Sequence, residues 1–141
     1  MAKCSKNFTL EELCSSATAK RDGIRNVPTA EVAVNLTILA QKVLQPLRDW
    51  WGKPILVTSG YRCPELNAAI GGVKNSQHMR GQAADLHLPS IEIGQQWYKW
   101  LKEHVEFDQL IWEKSGSTRW IHVSYNIDCN RKKAFELTVN N

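Results

Sequence analysis

The stretch Ser76-Gln77-His78-Met79-Arg80-Gly81-Gln82-Ala83-Ala84-Asp85 decides the reading of this chain. It puts a histidine on a loop and an aspartate near the start of a predicted strand, Ala83 to Leu88. A metal site needs ligands from different elements that converge on one point. Gly81 lets the backbone turn tightly, and Ala83 leaves space beside an ion. A third ligand is then needed, and His122 in Trp120-Ile121-His122-Val123-Ser124 is the candidate. Successive side chains of a strand point to opposite faces. Ile121 and Val123 therefore face a core, and Trp120, His122 and Ser124 point to the other face, away from the main core or lining a cleft. Two histidines and one carboxylate suit a catalytic zinc, which takes three protein ligands and keeps its fourth position open. A structural zinc would want four ligands, usually with cysteine. Cys4, Cys14, Cys63 and Cys129 are scattered without a C-x-x-C pair, and they read as reduced thiols.

The flanking sequence supplies the frame. Thr9 with Glu12 three residues on is a capping-box pattern, with Phe8 set to staple onto Leu13, so a helix is predicted from about Leu10 to Thr18. Ala19 to Pro28 reads as loop. Thr29 caps a long helix whose Val32, Leu36, Leu39, Val43, Leu47 and Trp50 make one apolar stripe. Pro46 lies inside it and should kink or loosen it. A β-prone run, Pro54 to Thr58, leads to Ser59-Gly60. Pro64 then opens a short helix to Ala69, ended by Gly71-Gly72. Ser90 to His104 is an amphipathic helix. Phe107 to Glu113, Arg119 to Tyr125 and Ala134 to Val139 read as strands. Helices first and antiparallel strands last predict an α+β domain. Trp50, Trp51, Trp97 and Trp100 are assigned to the core, and Trp112 and Trp120 are candidates for a groove wall.

The chain has 141 residues, 43% of them hydrophobic, enough for one domain with a core that needs no staple. A single zinc peptidase domain over 1–141 is the expectation once the metal site is accepted. Disulfide-dense, collagen-like and disordered classes are excluded. No apolar run approaches the roughly 18 residues of a membrane span, so no membrane insertion is expected. The N-terminus lacks the apolar stretch of a secretory signal, which predicts synthesis in the cytoplasm. The net charge of +4 allows attraction to an anionic polymer. Without a block of like charges no nucleic-acid partner is expected.

The pattern S-x-H-x-x-G-x-A-x-D followed by a distant histidine on a strand resembles the M15 zinc peptidases, the D-alanyl-D-alanine carboxypeptidase and phage endolysin group. Ser59-Gly60-Tyr61-Arg62-Cys63-Pro64 resembles that family's S-G-Y-R segment. Five fixed positions match in the central motif, against a chance expectation on the order of 10⁻⁴ in such a chain. The likeness runs from about Pro54 to Tyr125. It implies a hedgehog/DD-peptidase-like fold, an antiparallel sheet with flanking helices. It implies Zn2+ as cofactor, with His78, Asp85 and His122 as metal ligands. It also implies Arg62 as the residue that grips a substrate carboxylate or the scissile carbonyl, which the guanidinium fork fits. Ser76 and Trp120 are further substrate-binding candidates.

The general base departs from the family pattern. Many members carry an acid three residues before the last histidine ligand; here that position is Arg119. The nearest upstream acid is Glu113, closing a segment that resembles the corresponding hedgehog strand. A hairpin turning at Ser115-Gly116 would carry it toward His122. Glu113 is therefore the catalytic base candidate, with Asp108 second. His87 shares the face of Asp85 and is either a supporting residue or a solvated one, and His104 is given no function. The implied activity is zinc-dependent hydrolysis of a peptide bond in peptidoglycan stem peptides, as a D,D-carboxypeptidase or as an endopeptidase of the endolysin type, by a monomer acting on the cell wall. The alternative is a zinc-bearing, non-hydrolytic module that binds wall peptides or a protein partner. A third reading, a nucleic-acid-binding domain, rests only on a pI near 8.9.

Overall fold

Thr9 makes both halves of its capping box. Its Oγ1 accepts from the Glu12 amide and the Glu12 carboxylate accepts from the Thr9 amide. The helix it opens is short, Leu10–Leu13 (α1), because Ser16 caps a separate helix, Ala17–Asp22 (α2), by accepting from the Ala19 amide. The single helix expected to Thr18 is thus two, and the expected loop begins only after Asp22. This is a computed structural model that describes residues 2–139; Met1, Asn140 and Asn141, the ends of the expected 1–141 domain, lie outside the described residues. Ahead of α1, Lys3–Ser5 (β1) and Phe8–Thr9 (β2) form a small antiparallel hairpin not foreseen from the sequence.

Thr29 caps Ala30–Leu39 (α3). The chain then takes one π-helical turn, Ala40–Leu44, before Gln45–Trp51 (α4). The wide turn resolves the proline conflict. Pro46 falls at the start of α4, directly after the widened turn, where the i→i−5 spacing makes room for its ring. Val32, Leu36, Leu39, Val43 and Leu47 are all buried, as their spacing predicts. Trp50 is not. It is 46% exposed and stacks on Trp100, so the assignment of all four tryptophans to the core holds fully only for Trp97.

Val57–Ser59 (β3), Pro64–Ile70 (α5), Ala83–His87 (β4), Ile91–His104 (α6), Gln109–Ser115 (β5), Thr118–Ser124 (β6) and Lys133–Thr138 (β7) complete the chain. The large sheet has the order β3-β4-β6-β5-β7. Its first four strands pair antiparallel. β7 runs parallel to β5, which corrects the expectation of a wholly antiparallel sheet. The cause is the route of the connection. β6 ends beside the start of β5, where the Asp108 amide donates to Ser124 O. The chain then crosses that same end, with the Lys132 and Lys133 amides donating to Phe107 O and Asp108 O. A strand begun at the N-terminal end of β5 must run with it.

Alternation divides the sheet. Ala84, Leu86, Ile121, Val123, Leu110 and Trp112 face the helices and are buried in the core. Truncating one of the fully buried leucines there to alanine would cost about 2–5 kcal/mol. Trp112 packs edge-on against Tyr98 of α6, so it belongs to the core side and not to a groove. Asp85, His122, Ile111 and Glu113 occupy the opposite face through the registers Asp85 with His122 and Ile111 with His122. Among the described residues no helix is long and apolar enough to cross a membrane.

Candidate metal centre

His78 is held by short-range chemistry. Ser76 Oγ accepts from the His78 amide at 3.1 Å and starts the 3-10 turn Gln77–Arg80. Gly81 ends that turn at φ 72°, and a Cβ there would crowd the Val32 carbonyl. His78 Nδ1 lies 2.7 Å from Gly60 O. A carbonyl only accepts, so the neutral ring carries its hydrogen on Nδ1 and presents a bare Nε2. Gly60 can approach because it has no side chain; a Cβ there would overlap the Leu13 carbonyl oxygen.

Asp85 and His122 face each other across β4 and β6. Asp85 Oδ1 lies 3.1 Å from His122 Nδ1 and 3.3 Å from His78 Nε2. One ligand atom from each of the three residues can be chosen so that all lie within 4.8 Å of one another. This donor set fits a metal. At 3.3 Å a bare Nε2 and a carboxylate oxygen repel, so this contact calls for either a proton or a metal ion between the two atoms. Two ligand atoms bound tetrahedrally to zinc sit about 3.3 Å apart, given bonds of about 2.0–2.1 Å. The Gly60 carbonyl on the far nitrogen of His78 is the kind of support that fixes a ligand's tautomer. Burial would raise the Asp85 carboxyl, but the two imidazoles outweigh it and hold the group well below the usual carboxylate range.

Arg62 stands beside this cluster. Its Nη2 is 3.4 Å from Asp85 Oδ2, its Nε donates to Ser59 Oγ at 3.0 Å, and its Nη1 reaches Asn67 Oδ1 at 3.4 Å. Burial lowers the guanidinium's pKa, with Asp85 and Glu113 opposing that shift. Glu113 is opposite Trp120 in the β5–β6 pairing. Its Oε2 accepts from Trp120 Nε1 at 3.1 Å and lies 3.9 Å from His122 Nδ1. Burial, then the charge of Asp85, pushes its carboxyl above the ordinary glutamate value, the direction that suits a general base.

Asp108 is placed differently. It is 2% exposed and accepts from the Arg131 amide and guanidinium and from Gln77 Nε2. The bond to Arg131 leads the causes that bring its pKa down to about 2. Ser76 is buried with its oxygen turned to the His78 amide. His87 lies exposed at the end of β4, opposite Trp120. His104 stacks on Trp100. All four cysteines are free thiols. Arg119 bonds the Gly116 and Thr118 carbonyls of the hairpin turn.

Two residues outside the motifs support the site. Asn26 donates to Cys14 O and Tyr61 O and accepts from the Cys63 amide, bracing the loop that carries Arg62. Asn67 ties Arg62 to Val73 O. Asn67 is buried inside α5, a placement that the sequence alone did not signal. Asn26 in a predicted loop offered no signal either.

The cluster opens into a groove of about 1090 Å³ whose lining includes Arg62, His78, Asp85, Glu113, Trp120 and His122. That is about the upper end of the range for ligand-binding clefts. Residues 6–124 match the family described as Peptidase M15. Over 81 residues the chain is 40% identical to the zinc D-Ala-D-Ala carboxypeptidase of Streptomyces albus G, covering 57% of this chain and 31% of that protein. The chain thus spans under a third of the length of the curated relative it matches.

Proposed function

The chain belongs to the peptidase M15 family, and from that premise we propose that it is a zinc metallopeptidase cutting a peptide bond in peptidoglycan stem peptides. The observation that carries this reading is the convergence of His78, Asp85 and His122 at the groove, with Glu113 within 3.9 Å of His122. The span 1–141 acts as one peptidase domain of the hedgehog/DD-peptidase-like kind, working as a monomer on the wall, either as a carboxypeptidase or as an endolysin-type endopeptidase.

In this mechanism His78, Asp85 and His122 would hold the zinc. When bound, zinc polarises a carbonyl and lowers the pKa of water toward neutrality. Trp120 Nε1–H orients the Glu113 carboxylate by donating to Oε2. Glu113 Oε1 then takes the proton from the attacking water and passes it to the leaving nitrogen. Arg62, with Nε on Ser59 and Nη1 on Asn67, aims its fork at the oxygen that gains charge or at a terminal carboxylate. Burial strengthens that interaction, because water competes less for the guanidinium. Trp120 also offers a wall for the peptide, and Ser76 acts by setting His78.

Incubating zinc-loaded protein with purified muropeptides and reading the products by mass spectrometry tests this. A chelator-sensitive loss of one residue, or scission of one stem-peptide bond, is the expected result. Intact peptides that nevertheless bind would favour the non-hydrolytic module.

A further inference from the structure

Residues beyond 124 lie outside the stretch that matches the family, yet they build one wall of the groove. β7 pairs with β5 through six residues, from Gln109 with Lys133 to Lys114 with Thr138. The register extends the metal face outward. Asp85, His122, Ile111 and Phe135 form one row across four strands, and Trp120, Glu113 and Leu137 form the next. With strands about 4.8 Å apart, Phe135 sits roughly 10 Å from His122, beyond Ile111. Phe135 and Leu137 are 38% and 43% exposed, and both line the groove. Single exposed apolar side chains need no explanation; two on one strand, continuous with a catalytic cleft, do. The strand is also fixed in place. Arg131 forks onto Asp108, and the Lys132 and Lys133 amides bond Phe107 O and Asp108 O.

We propose that Phe135 and Leu137 form a specificity subsite that takes the aliphatic part of a long substrate side chain, on the side of the metal ligands away from Arg62. The assignment of sides follows from strand order, since Arg62 follows β3 at one edge and β7 is the other. The inference rests on the peptidase reading. The occupant is the methylene chain of a lysine-length residue in the stem peptide. Such a chain lies along an apolar shelf while its charged tip stays in water. Because the shelf is held by Asp108 before any peptide arrives, little ordering is needed on binding.

The test uses three peptides: L-Ala-D-Glu-L-Lys-D-Ala-D-Ala, and its counterparts with norleucine or glycine in place of lysine. Dissociation constants come from calorimetry with zinc-loaded protein, and kcat and KM from product analysis. The wild type should bind the lysine and norleucine peptides alike and the glycine peptide roughly tenfold more weakly, as loss of a few half-buried methylenes implies. Phe135→Ser/Leu137→Ser should bind the lysine peptide roughly tenfold more weakly, lose the preference over glycine, and keep zinc content with kcat within about twofold. Leu137→Ser alone serves if the double variant unfolds. Equal binding of all three peptides by the wild type, or an undiminished preference in the variants, overturns the shelf. So does conversion of a dimer to a monomer by the variants without change in affinity. Preference in binding with no cleavage of any peptide leaves the shelf standing and removes the peptidase reading; cleavage of all three with equal KM does the reverse.

Discussion

Asp108→Asn separates a structural carboxylate from a catalytic one. In the folded protein this carboxyl is brought down to about 2 by the Arg131 guanidinium and amide and by Gln77, against an ordinary value of 3.8. A folded pKa below the unfolded one means the unfolded chain binds the proton more tightly. The stabilisation is therefore complete above about pH 4 and is lost as pH falls from there through 2. At roughly 1.4 kcal/mol per unit, the charge contributes about 2 kcal/mol at neutral pH. Asparagine removes the charge and also turns an N–H group toward the donors of Arg131 or Gln77. The expected loss is thus about 2 kcal/mol or somewhat more, which at roughly 3 °C per kcal/mol lowers Tm by about 6–8 °C. Urea denaturation at pH 7 and at a series of acidic pH values reads this directly. The gap between wild type and variant should shrink by about 2 kcal/mol as pH falls toward 2, leaving only the cost of the misdirected N–H group. Turnover per folded, zinc-loaded molecule should stay near wild type, because Asp108 is engaged with Arg131 and Gln77. A loss below about 0.5 kcal/mol at pH 7 would refute a stabilising role for the Asp108–Arg131 pairing. A hundredfold fall in kcat with stability intact would make Asp108 the base.

Zinc at 100 times its dissociation constant should add about 2.7 kcal/mol, raising Tm by roughly 8 °C. Calorimetry should find that rise absent in Asp85→Asn and in His78→Ala; a full rise in either would break the ligand set. Arg62→Lys keeps the charge but not the fork held by Ser59 and Asn67. Peptide hydrolysis should drop about tenfold or more in kcat/KM with zinc content unchanged, and an unchanged rate would return Arg62 to a purely structural pairing with Asp85.

The parts legible in the sequence were those governed by short-range rules. The Thr9–Glu12 capping box, the alternation around His122 and the turn at Ser115-Gly116 each depend on neighbours a few residues away. Alternation set the face of His122 and the hairpin turn carried Glu113 toward it, whereas the register that sets Asp85 opposite His122 is seen only in the fold. The direction of β7 was not legible, because its strand pattern reads the same in either direction. Only the crossing at the start of β5 sets it. Pro46 signalled a disturbance, but not that a π-helical turn would absorb it, since that depends on how α3 and α4 are both held to the core. Trp50 continued the apolar stripe in spacing and still emerged at the surface, where the helix ends and Trp100 offers a stacking partner. Asp108 with Arg131, 23 residues apart, is a contact that no local pattern announces. The same holds for Asn26 beneath the Arg62 loop.

The central claim is that Glu113 moves the proton at a site held by His78, Asp85 and His122. Wild type and Glu113→Gln, brought to equal zinc content, should be compared for initial rates on the same purified muropeptide. The account predicts measurable hydrolysis by the wild type and a fall of roughly 10²–10⁴ in the variant, with peptide affinity retained. A variant rate within about threefold of the wild type, at equal zinc, would contradict it.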